Sequence, residues 1–423
     1  MRKAGFFCLA LLSALLLTVP GQPAQARAQH AALLRSDPAD SSVLAKGPDA
    51  IQLLFSEPIQ PVGQAIEVIA PTGKALSRGS LRVNGLQLSM PLNATQTEQP
   101  GSYLVIWQVI SPDTDPVSGR FVFSVGNPAG PWSATSASGV TPLGIWLQVL
   151  THWLHFLGYA LGFGTVAFRQ FVLRPLPHTT TEKVEQTLWR LVTLGIAILV
   201  IAELVALLAQ NASLGTASLF DPEITGDILA SSFGRVMAQR LGAAALLWVL
   251  VGVVKQGEER GNRVILGLGL ALALIDGEAS HAITSRAPWL GLLANMLHIA
   301  AMGVWIGGLL AFLSTWRLKE LHEQRGALII RFGQVATIAV IELVVSGLLL
   351  ACLHLATLAD LLITPYGKVL TAKVCVVLIT LLLAFLAIRI SRSKQTTWWI
   401  IETIALTVIL ALAALLLSLP PPI

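Results

Sequence analysis

The feature that most constrains this chain is a series of eight apolar segments in its last two thirds. They lie near residues 143–165, 189–210, 236–254, 263–280, 290–313, 332–355, 368–390 and 398–418. Each has about the 20 residues that a helix needs to cross the hydrocarbon of a bilayer. Backbone polar groups in lipid must be satisfied within the chain, so each segment predicts a helix. Only 12% of the residues are charged and 54% are hydrophobic, where a soluble domain carries about 25% charged residues. Residues 143–423 are therefore expected to form a bundle of eight transmembrane helices.

The loops test that reading independently. The first, third, fifth and seventh carry Arg169, Arg174 and Lys183; Lys255, Arg260 and Arg263; Arg317, Lys319, Arg325 and Arg331; Arg389, Arg392 and Lys394. The loops between them are poor in Lys and Arg, with Arg286 the main exception. Cytoplasmic loops carry the excess of basic residues. The alternation thus predicts that both ends of the bundle lie outside. The net charge of +5 follows from these loops, and no basic run marks a nucleic-acid partner.

Residues 1–28 read as a secretory signal. Arg2 and Lys3 precede an apolar core from Phe6 to Val19, and Ala24-Gln25-Ala26 and Ala26-Arg27-Ala28 fit the small-x-small cleavage rule. The character then changes. From His30 to about Val125, short alternating runs (IQLLFSEPI, QAIEVIAP, SLRVNGLQLSM, GSYLVIWQVIS, GRFVFSVG) are separated by Gly, Pro, Asn and Asp. Period-two alternation over such lengths predicts antiparallel strands in a small sandwich or barrel. Residues 30–126 are thus an all-β domain outside the cytoplasmic membrane, and residues 127–142 are a linker. The whole is a multi-domain membrane protein.

The stretch from Asp276 to Gly308 (DGEASHAITSRAPWLGLLANMLHIAAMGVWIGG) joins two spans by a short polar turn. His281 precedes the turn. His298 follows it inside the next span, with Met302 four residues on and on the same helix face. A histidine inside an apolar span is expensive unless it pairs, binds or conducts something. His178 and His322 fall in cytoplasmic loops, where solvation explains them. His152, His155, His281, His298 and His354 all fall in the outer part of a span or just beyond it. Imidazole suits copper, zinc, iron and nickel, and Met or Cys sulfur shifts the preference towards Cu(I). Met237 and Met296 lie near the same surface. The simpler role for each Met and for Trp305 is to fill helix contacts. Cys352 lies two residues before His354, a spacing that needs a local break to put both on one face.

Glu203, Arg240 and Glu342 are further intramembrane ionisable residues. Glu203 and Arg240 either pair structurally or line a polar path. Glu402 sits near an inner interface. The chain has no GxxxxGK[ST] phosphate loop, no CxxC pair and no Ser-His-Asp pattern. No enzymatic chemistry is expected.

Two resemblances converge on these segments. HAALLRSDPADSSVL, LLFSEPI and WQVISPDTDPVSGRFVFSVG resemble the periplasmic copper-binding CopC family, whose domain is an Ig-like or cupredoxin-like sandwich. GEASHA, LHIAAMGVWIGGL, RFGQ with VVSGLLLA, TPYGKVLTAKV and IETIALTVILALAALLLSLPPP resemble the CopD family of inner-membrane copper proteins. The resemblance implies copper handling, with uptake across the inner membrane and a role in copper homeostasis or resistance. It also implies periplasmic copper carriers as partners beside the ion and the bilayer. The CopC family holds Cu(II) with an N-terminal histidine and a DGH motif. Here His30 stands near the expected N-terminus and the motif reads Asp113-Thr114-Asp115, with Asp115 in the histidine's place. A carboxylate usually holds Cu(II) less tightly than imidazole does, so a weak Cu(II) site is expected. The bundle histidines would take Cu(I) or Cu(II). Two other readings stay open at this point. One is a haem protein with histidine axial ligands. The other is a copper-delivery or sensory module that transports nothing.

Overall fold

The computed structural model describes residues 31–76, 80–93, 97–127, 137–138, 141–177, 179–214, 221–255, 261–280, 287–355, 357–387 and 395–419. The signal segment, His30, His178, His281 and Arg286 lie outside these residues.

The β domain is a two-sheet sandwich. One sheet has β1 (Leu33–Asp37), β3 (Ala50–Phe55), β6 (Gln87–Pro91) and β5 (Arg82–Asn84), in that order. The other has β2 (Val43–Leu44), β8 (Pro116–Val125), β7 (Gly101–Ile110) and β4 (Gln60–Ile69), with β9 (Ala137–Ser138) added to β8. β9 falls in the stretch expected as linker. Alternation does its predicted work in β3, where Ile51, Leu53 and Phe55 point inward and Gln52 and Leu54 outward. The inward set meets Val105, Trp107, Phe121 and Phe123 of the second sheet. Trp107 lies opposite Gly119 in the β7–β8 register. A Cβ there would run into the Trp107 ring, so only glycine fits beneath the indole.

All eight expected spans are helical: α1 (Pro142–Leu173), α2 (Glu182–Ser213), α4 (Ser232–Lys255), α5 (Gly261–Glu278), α6 (Pro288–Trp316), α7 (Arg325–His354), α9 (Pro365–Ala387) and α10 (Gln395–Leu417). Two short helices add to them, α3 (Pro222–Ala230) and α8 (Asp360–Ile363). Six of the long helices are apolar enough to cross a membrane along a full 18-residue window. α5 has 18 residues but carries Arg263, Asp276 and Glu278, and the described apolar part of α10 is Thr403–Leu417.

α1 and α6 are the central helices, and α7 and α9 are largely exposed at the rim. α1 contains two π turns, Ala160–Gly164 and Arg169–Leu173. The first lies against α6, where Gly164 faces Gly303 and Gly307. Small residues let two membrane helices approach this closely.

Successive long helices run in opposite directions. Thr141, the N-cap of α1, donates to the Ala212 carbonyl at the end of α2, at 2.6 Å. His152 near the start of α1 lies 3.4 Å from Ser418, just beyond α10. At the opposite end Arg169 pairs with Glu185 at 2.8 Å and Lys183 with Glu320 at 3.0 Å. The basic residues of the first and fifth loops therefore share one end.

The β domain sits on the other end. Val62 and Ile110 join Ala206, Leu214, Ile228, Phe233 and Met237 in one apolar cluster. Polar contacts surround it. Gly63 N donates to Asp227 at 2.8 Å, Ser232 N to Gln60 Oε1 at 2.7 Å, and Gln210 Nε2 to the Thr114 carbonyl at 2.8 Å.

Candidate metal-handling site

The most ionised place inside the bundle joins four helices. His155 of α1 projects between Glu203 of α2 and Asp276 of α5, with Arg240 of α4 beside both carboxylates. His155 Nε2 lies 2.9 Å from Asp276 Oδ2, and its Nδ1 lies 3.5 Å from Glu203 Oε1. Arg240 Nε donates to Asp276 Oδ1 at 2.9 Å, and its Nη1 lies 3.6 Å from Glu203 Oε1. Glu203 is 2% exposed, His155 5% and Asp276 6%. A carboxylate only accepts, so the Asp276 contact places a hydrogen on Nε2 and turns Nδ1 towards Glu203. The 3.5 Å there is too long for a good hydrogen bond. Neither Glu203 oxygen accepts a hydrogen bond.

Pairing of Glu203 and Arg240 is one of the two expectations for them, and the structure shows it. Asp276 was missed as their partner. Its signal is an acidic residue at the end of an apolar segment, but its contacts are made across helices and cannot be read along the chain. Tyr159, one turn below His155, donates to the Gly269 carbonyl at 3.0 Å and ties α1 to α5.

The other histidines have different partners. His298 Nδ1 lies 3.0 Å from Ser346 Oγ of α7, which donates to the Glu342 carbonyl at 2.6 Å. Glu342 thus acts through its backbone here. Lys373 of α9 lies within electrostatic reach of His298, and a cation bound there would meet that ammonium. Met302 is half-buried against two core clusters, and Trp305 is buried. His354 is buried at the last residue of α7, whereas Cys352 is exposed. α7 is regular through both, so no local break brings the thiol round. Met237 packs in the cluster under the β domain, and Met296 in the core near Tyr159. Among the described residues, no three His, Cys, Asp or Glu side chains converge as a metal-binding group.

The β-domain turn is tightly made. Thr114 N donates to the Ser111 carbonyl at 3.1 Å and Ser111 N to the Asp115 carbonyl at 3.0 Å. Ser111 Oγ donates to the buried Asp113 carboxylate. Thr114 has φ +73°, in the left-handed region that side chains other than glycine rarely adopt. Asp115 is half-buried. This turn faces α2 and α4 through Gln210 and through Ser232, whose Oγ lies 3.4 Å from the Ser111 carbonyl.

Comparison with known proteins follows the same division of the chain. Residues 33–126 match the CopC domain, residues 141–291 the N-terminal domain of copper resistance protein D-like proteins, and residues 326–418 copper resistance protein D. The copper transport protein CutJ of Bacillus subtilis is 26% identical over 422 residues, covering 93% of this chain and 74% of CutJ. Protein YobA of Escherichia coli K12 is 31% identical over 99 residues, covering 23% of this chain and 78% of YobA. Among solved structures, CopC from Methylosinus trichosporium OB3b is 24% identical, covering 25% of this chain and all of that one, with a TM-score of 0.21. The chain unites a CopC domain and a CopD domain in one polypeptide with several helices long and apolar enough to cross a membrane.

Proposed function

We propose that this protein carries copper ions inward across the cytoplasmic membrane, with the β domain and both ends of the bundle on the outer side. The observation that carries the reading is a coincidence of position. The end of the bundle that holds the β domain also gathers His152, His155, His354 and the cluster around Glu203 and Arg240, while the basic residues of the first and fifth loops occupy the far end. An extracytoplasmic receiving domain would then stand over the polar residues of the bundle. Inward movement of a cation needs no nucleotide, because the membrane potential contributes about 2.3 kcal/mol per charge per 100 mV.

On this reading the β domain holds Cu(II) weakly through His30, Asp113 and Asp115, or receives copper from a periplasmic carrier. The bundle accepts the ion through His155, His298 and His354, helped by His152, His281 and Met302. CutJ is described as a copper transport protein, which agrees. The test is copper accumulation by cells expressing the full chain. His155→Ala and His298→Ala are expected to abolish it at unchanged protein level. His322→Ala, at the far end, is expected to leave it intact. Equal failure of all three variants would refute the receiving site, and so would normal accumulation by both bundle variants.

A further inference from the structure

We infer that the cation crosses the bundle beside α1, on a line of buried polar atoms that begins under the β-domain turn and runs through the His155 cluster. This deepens the proposed transport function and rests on it. Four groups mark the line. Gln210 spends its Nε2 on the Thr114 carbonyl and leaves its Oε1, buried, with no hydrogen bond. Thr151 Oγ1 is likewise buried and without a hydrogen-bond partner, and Glu203 Oε1 has only the longer contacts to His155 Nδ1 at 3.5 Å and Arg240 Nη1 at 3.6 Å. Buried polar atoms are nearly always paired, so each exception needs a reason.

The four groups are contiguous. Gln210 and Glu203 are seven residues apart on α2, which puts them on one face about two turns apart. Gly144 packs on Ser213 and Gly158 on Gly195 and Leu199. That antiparallel register sets Thr151 level with Glu203 and Ala206, between Gln210 above and His155 one turn below. The line also continues. Thr165 lies beyond the Ala160–Gly164 π turn, between Gly164, which faces α6, and Val166, which packs with Val192 and Ile196 of α2. It is fully buried and its hydroxyl has no partner. Asn262, at the far end of α5, is fully buried with both amide atoms unpartnered. Val166 and Ile265, close to these two residues in sequence, share one core cluster.

The chemistry selects the traveller. Amide, hydroxyl and carboxylate oxygens present lone pairs to the line. The two carboxylates at its midpoint repel anions, and Arg240 is already engaged by both. A metal cation is what such a set solvates.

The test uses the full chain in proteoliposomes, with copper(I) held reduced by ascorbate and an internal fluorescent chelator as the readout. Thr151→Val keeps the shape and removes the lone pairs, and it is expected to slow copper flux about tenfold. Thr151→Ser restores the oxygen and is expected to restore flux. Thr165→Val is expected to slow flux as well, and it decides the matter if Thr151→Val does not fold. Thr380→Val is the control, since that buried hydroxyl is satisfied within its own helix by Val376. Wild-type flux in both Thr151→Val and Thr165→Val overturns the route and leaves copper transport standing. So does a Thr151→Ser variant as slow as Thr151→Val. A wild-type protein that moves no copper overturns the transport reading and the route together.

Discussion

Arg240→Met removes the only arginine in the four-helix cluster and leaves its carboxylates facing one imidazole. Arg240 makes two contacts, 2.9 Å to Asp276 and 3.6 Å to Glu203, and those carboxylate side chains are 5% and 3% exposed. Breaking a buried ion pair from one side costs about 3–5 kcal/mol, because a charge stays behind without compensation. At roughly 2–4 °C per kcal/mol for a large domain, the melting temperature of the purified protein in detergent should fall by roughly 6–20 °C. The double variant Arg240→Met with Glu203→Gln removes one charge of each sign. It should recover more than half of that loss, a coupling of about 0.5–3 kcal/mol. A single variant that melts within about 2 °C of wild type would show that the four groups do not compensate one another. A double variant no better than the single would show that the 3.6 Å contact carries no energy.

Other outcomes follow from the same geometry. Gly307→Ala should destabilise the α1–α6 crossing by at least about 1–3 kcal/mol, since a Cβ there runs into the Ala160 carbonyl; a thermal melt checks it. Asp115→His should tighten Cu(II) binding to residues 30–126 in a titration, and equal affinity before and after would refute the reading of that turn. Burial pushes the Tyr103 phenol above its ordinary range. A raised folded-state value means that this contribution to stability is present below about pH 10 and is lost as the pH rises further. Melting of the β domain should therefore decline above about pH 10, and Tyr103→Phe should flatten that decline. A reporter fused to the C-terminus should score as extracytoplasmic.

The spans are legible in the sequence because membrane length and loop charge are properties of the chain read in one dimension. The same holds for the sandwich, where β3 alternates Ile51, Leu53 and Phe55 against polar or exposed neighbours. Partner choice is not legible in that way. Glu203 and Arg240 stand out as ionisable residues in apolar surroundings, but nothing along the chain brings Asp276 to them. His155 and His298 look alike in sequence, as histidines in apolar spans. In the fold one lies between two carboxylates and the other beside Ser346 and Lys373. Thr151 and Thr165 carry no signal at all, since a threonine in a membrane helix normally donates to its own backbone. The docking of the β domain through Thr114 and Gln210 is also a tertiary fact, between residues 96 positions apart.

The most direct test of inward copper movement is potential-driven accumulation in proteoliposomes whose β domains face outward. The account predicts that copper(I) enters when the interior is made negative. At 100 mV the ratio inside to outside should approach about 50-fold, as one charge requires. Collapsing the potential should release the gradient. Vesicles that show no accumulation under an inside-negative potential, or that lose preloaded copper against it, would contradict the account.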